Sequence, residues 1–101
     1  MNPATETFFF STTVNGNGVL SLHYIPNQVD ARMPAVNDQS NVLVSAAQLG
    51  GDGSPMQGDA SIQVLNVFCR GDQPGSGTVY VRLNVLWDSP LNIRLAFVLW
   101  P

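Results

Sequence analysis

The chain contains no lysine. Its four basic residues are Arg32, Arg70, Arg82 and Arg94, scattered along 101 residues without a cluster. Phosphate recognition needs Lys and Arg grouped to neutralise the nucleic-acid backbone, and the net charge here is −3, so direct nucleic-acid binding is not expected. A single cysteine, Cys69, excludes a disulfide within the chain. The one histidine, His23, and the one cysteine, Cys69, lie far apart in the chain and do not give the clustered ligands at set spacing that a metal site requires; neither metal nor cofactor is expected. No apolar run approaches the roughly 20 residues of a membrane-spanning helix, so membrane insertion is not expected. Phe8-Phe9-Phe10 is too short for a signal peptide and has no charged segment before it.

Charged residues amount to 11%, against about 25% in ordinary soluble chains. Asparagine, serine, threonine, glutamine and glycine must therefore supply most of the wet surface. Short polar side chains lose less conformational entropy on being fixed than lysine or glutamate does. Such a surface suits repeated assembly or ligand contact, although a merely Lys-poor β protein would share it.

The strongest pattern lies near the C-terminus. In Thr78–Trp87 the residues Val79, Val81, Leu83, Val85 and Trp87 alternate with mostly polar ones, and Leu91, Ile93, Leu95, Phe97 and Leu99 repeat the pattern after Asp88-Ser89-Pro90. A period of two places each apolar set on one face of a strand, which then needs a second layer to cover it. We expect these two strands to form a hairpin. Residues 7–14 and 19–25 form two further strands, and the tandem Asn-Gly pairs at Asn15–Gly18 predict a hairpin between them. Pro26 ends the second of these strands. Asn27–Ser40 and Leu49–Asp59 read as long surface loops, Asn41–Ala47 as a short strand, and Ser61–Cys69 as a strand whose alternation slips at Val64-Leu65, the mark of a bulge. The expectation is a single domain over residues 1–101: an all-β antiparallel β-sandwich or partial jelly-roll of about six strands. Its core should join the two C-terminal apolar sets to Phe8, Phe10, Leu20 and Leu22.

No catalytic residue is assigned. Ser21 and His23 share a strand face and six aspartates are available, but a triad needs a specific acid aimed at the histidine, and so many aspartates make a chance neighbour commonplace. Arg70-Gly71-Asp72 is an RGD tripeptide, expected in the Gly/Pro loop Arg70–Gly77. Integrins read that pair of charges from exposed turns, so these three residues are candidates for receptor binding; ordinary loop solvation is the plainer alternative. Tyr80 and Arg82 share the polar face of their strand, and Trp100 falls on the polar phase of the last one. These three are candidates for contact with a subunit or with a ligand such as a glycan, with subunit packing preferred.

Asn17–Asn27, with its Tyr24-Ile25-Pro26 ending, and Ser61–Trp87, with its polar Pro/Gly turn before Val79-Tyr80-Val81, resemble segments of the jelly-roll coat proteins of small icosahedral positive-strand RNA viruses, picorna-like or noda-like. The two stretches cover about half the chain. The resemblance implies a non-enzymatic capsid or capsid-surface subunit, a virion location with assembly in the host cytoplasm, and partners that are other copies of the chain or other capsid chains. The chain departs from that family in length, since a jelly roll has eight strands. The alternative function is a carbohydrate- or receptor-binding β-sandwich.

Overall fold

A computed structural model describes residues 6–15, 17–56, 58 and 60–100. Among these residues are seven strands: β1 (Thr7–Val14), β2 (Gly18–Tyr24), β3 (Asn41–Leu49), β4 (Pro55–Met56), β5 (Ser61–Gln73), β6 (Ser76–Leu86) and β7 (Leu91–Trp100). A four-residue helix, α1 (Pro26–Val29), follows β2. The strands form two antiparallel sheets, in the orders β1-β7-β3-β4 and β2-β6-β5, packed as a sandwich.

The C-terminal alternation is the core. Val79, Val81, Leu83 and Val85 of β6 and Leu91, Ile93, Leu95 and Phe97 of β7 are each at most 4% exposed. Phe8 joins them as a buried residue, while Phe10, Leu20 and Leu22 pack against them half-buried. Burying each large apolar side chain contributes about 1.5–3 kcal/mol.

The expected C-terminal hairpin is not formed. β6 and β7 belong to different sheets, and Trp87–Pro90 carries the chain from one layer to the other. Paired in one sheet, the two apolar rows would share a face and leave it bare. In opposite layers, each row covers the other. The expected hairpin of β1 and β2 is absent for the same reason. β1 pairs with β7 and β2 with β6, without a slip in either register. The two strands lie in different layers, and Phe10 meets Tyr24 with ring centroids 5.1 Å apart. Of the Asn-Gly turn, Gly16 lies outside the described residues.

The hairpin that does form joins β5 to β6. Gln73 pairs with Ser76, and Gly75, at φ +73°, supplies the left-handed turn conformation. The expected bulge in β5 is present as a register shift between Val64 and Asn66. The expected surface loops are partly structured: β3 runs on to Leu49, β4 adds a two-residue strand, and Asn27–Ser40 turns its apolar residues Met33 and Val36 into the core, 5% and 4% exposed. Gly77 holds that connection against the sheet, for a Cβ there would collide with the backbone oxygens of Val36 and Arg70.

Leu83→Ala or Ile93→Ala should lower unfolding free energy by about 2–5 kcal/mol through the cavity each leaves, as read from denaturant titrations. Leu43→Ala, at a side chain 62% exposed, should stay within about 0.5 kcal/mol of the parent.

Candidate functional site

Because odd positions of β6 enter the core, its even positions stand on the outer face of the three-stranded sheet. Register places His23, Tyr80 and Phe68 in one row across β2, β6 and β5, and Ser21, Arg82 and Asn66 in the next. Tyr80 stacks on Phe68, with centroids 4.9 Å apart and ring planes 12° from parallel; His23 lies 6.2 Å from Tyr80 on its other flank. A shallow cleft of about 220 Å³ opens beside Phe68, Tyr80 and Arg82, with Ser21 and Asn66 on its walls. Arg82 is exposed and makes no ion pair among the described residues.

Arg70-Gly71-Asp72 does not lie in a loop. It belongs to the far end of β5, where the register with β6 shifts between Arg70 and Gln73. The physical reason is the tight turn at Pro74-Gly75, which lets the strands pair almost to the tip. The Gly71 N–H donates to Asp38 Oδ1 at 2.7 Å. The Asp72 carboxylate accepts from the Thr78 hydroxyl at 2.7 Å and from the Tyr80 hydroxyl. These two bonds, that from Tyr80 first, hold Asp72 below the ordinary carboxylate range, and the same bond pushes Tyr80 up. Arg70 and Asp72 are exposed and line a depression of about 450 Å³ together with Asp38, Phe68, Cys69 and Gly71. A receptor that drew on the Asp72 carboxylate would have to break or share its two hydroxyl bonds.

Trp100 is half-buried on the other layer, opposite Asn41 in the β7–β3 pairing. Tyr80 and Arg82 therefore occupy one outer face of the sandwich and Trp100 the other. The three do not form one site, because the chain changes layers between them.

The outer face around Trp100 holds apolar surface that the sequence reading overlooked. Phe9 and Leu43 are 49% and 62% exposed. Register groups Thr7, Val98 and Leu43 in one row and Phe9, Ala96 and Ser45 in the next. The Arg94 guanidinium lies 4.4 Å from the Phe9 ring centre, a cation–π contact. The available signal was phase: with Phe8 and Phe10 turned inward, Phe9 must face out, and with Val42 and Val44 inward, so must Leu43.

Other reactive groups are not assembled. Ser21 and His23 lie exposed on β2, and no hydrogen bond joins His23 to a carboxylate among the described residues. Cys69 is buried, and desolvation raises its thiol pKa. No cluster of three or more metal-ligating side chains occurs among the described residues, and no helix there is long and apolar enough to cross a membrane. Comparison with protein-family models, curated proteins and solved structures finds no match.

Tyr80→Phe should move the Asp72 titration, followed by carboxyl NMR, upward toward its ordinary value of 3.8. A carboxylate with a depressed folded-state pKa contributes stability above its unfolded pKa, and that contribution fades as pH falls through the folded value. The parent should therefore lose this contribution at acid pH, and Tyr80→Phe should lose less. In the native protein Cys69 should resist thiol reagents, labelling mainly when the chain unfolds.

Proposed function

We propose that this chain is a non-enzymatic assembly module: a coat-type β-sandwich that packs against copies of itself or other chains of a viral particle. The observation that carries the proposal is the outer face of the four-stranded sheet, where Phe9, Leu43, Val98 and Trp100 leave apolar surface in water. Contiguous exposed apolar surface on a small domain marks a contact site. Two further features support it. The first strand pairs with the last and the second with the last but one, a nested winding in the manner of a shortened jelly roll. A surface with no lysine and few charges also lowers the entropic and desolvation costs of burial. Arg94 over Phe9 adds a planar cation that can face a polar partner group.

Sedimentation velocity over a broad concentration range, with electron microscopy of the concentrated material, tests this reading. Concentration-dependent association is expected, and Leu43→Ser should weaken it about tenfold or more while the fold persists. A chain that stays monomeric at its highest soluble concentration and enters no particle would refute the proposal.

The cleft beside Phe68, Tyr80 and Arg82 favours a second reading, contact with a glycan or a host receptor. An aromatic edge, an uncommitted guanidinium and two short polar side chains make a surface able to take a sugar ring and its polar substituents. On a glycan array, Tyr80→Ala and Arg82→Ala should abolish any signal that the parent gives. Trp100→Ala, on the opposite face, should leave such a signal intact; losing it instead would dismiss this site.

A further inference from the structure

The sandwich has two sides at which its sheets end, and they are built differently. On one side lie β4 and β5. β4 has only two residues, one of them Pro55. β5 departs twice from regular pairing, between Val64 and Asn66 and between Arg70 and Gln73, and carries the charges of Arg70 and Asp72. β3 packs against β5 on this side. Short length, proline, bulges and charge are the devices that stop a sheet edge from recruiting another strand.

On the other side lie β1 and β2; α1 packs against β1, but neither strand is bulged or holds a proline or an Asp, Glu, Lys or Arg. The eight residues of β1, Thr-Phe-Phe-Phe-Ser-Thr-Thr-Val, include no charge and no proline and pair one-to-one with β7. The seven residues of β2 likewise pair with β6 without a slip. Among the described residues, each strand is bonded to a neighbour on one side only. They edge the two layers side by side, as the contact of Phe10 with Tyr24 requires. The Arg32–Glu6 ion pair, 3.7 Å long, sits at the start of β1, leaving the stretch toward Val14 as the open edge.

We infer that β1, with β2 alongside, pairs antiparallel with the same strands of a second copy about a twofold axis, making each sheet continuous across two molecules. This rests on the assembly reading above and adds a sheet edge to the outer face named there. A second copy is the occupant that the edge itself favours. An antiparallel strand meeting itself satisfies outward N–H and C=O groups reciprocally, which is the self-complementarity of a twofold interface. An uncharged β1 meets its own image without repulsion. The β-branched and aromatic residues Phe9, Thr12, Thr13 and Val14 form favourable cross-strand pairs in such a ribbon. Half-buried core residues along that side, Phe10, Leu20, Leu22 and Tyr24, gain cover from the second molecule.

Hydrogen exchange with mass spectrometry, run on the full chain below and well above the association midpoint found by sedimentation, tests the pairing. Amides of β1 and β2 should gain protection with concentration, about fifteenfold at a total concentration of about a hundred times the dissociation constant, where mass action leaves about 7% monomer, while those of β4 and β5 stay unchanged. Thr13→Lys, at an exposed position on the open edge, should weaken the dimer about fivefold or more by bringing a cation from each copy to the pairing edge, the device by which charged edge strands resist pairing. Gln63→Lys on β5 should not, and circular dichroism should report the parent fold for both. Association that protects no β1 amide, or that Thr13→Lys leaves unchanged in a folded chain, would overturn this inference and leave assembly through the sheet face standing. A monomer at every concentration would overturn both.

Discussion

The structure depends on β6 and β7 meeting face to face across the core. Their inward residues, Val79 to Val85 and Leu91 to Phe97, are nearly without solvent contact, and every other strand except β4, which pairs with β3, is placed by pairing with one or the other. Dispersion and the removal of apolar area from water act through these two rows, and neither row could be buried without its counterpart. Because the rows lie on consecutive strands, the chain must cross between layers at Trp87–Pro90. Once that crossing exists, β1 and β2 must separate to flank the two central strands. The nested order of the sheets follows from one packing requirement.

The same requirement leaves the outer faces free to differ. One carries Phe9, Leu43, Val98 and Trp100, the other the stacked Tyr80–Phe68 pair with Arg82 and Asp72 nearby. In a chain of low charge, the first face is apolar and the second mixes aromatic and polar groups. The edges differ as well: irregular and charged at β5, regular and uncharged at β1. A small sandwich with one protected side and one open side, and with apolar surface on one face, has the anisotropy of a building block. That physical picture supports the assembly reading, with the glycan or receptor reading tied to the opposite face.

Much of the strand content was legible. Strict alternation in β6, β7 and β2 assigned the inward and outward residues correctly, and the slip at Val64-Leu65 located a bulge. The error lay in reading adjacency along the chain as adjacency in a sheet. Asn-Gly and Asp-Ser-Pro segments favour a reversal of direction, but an arch between layers and a hairpin within a sheet both reverse the chain. Local turn chemistry does not distinguish them. The contact group suffered from the same error: Tyr80, Arg82 and Trp100 all sit at even positions, yet a layer change between them sends Trp100 to the far face. Asp72 read as a loop charge because Pro74 and Gly75 drew attention to a loop, while its hydroxyl partners Thr78 and Tyr80 come into reach only when β5 and β6 pair to the tip.

By itself the sequence determined the all-β class, the face of each regular strand and the membership of most of the core, because those follow from a period of two and the cost of leaving apolar groups in water. Only the tertiary structure decided which strands share a sheet, which outer face each polar or aromatic residue joins, and which edges stay open. Those are relations between distant segments, settled when two greasy rows find the one arrangement in which each is the other's cover.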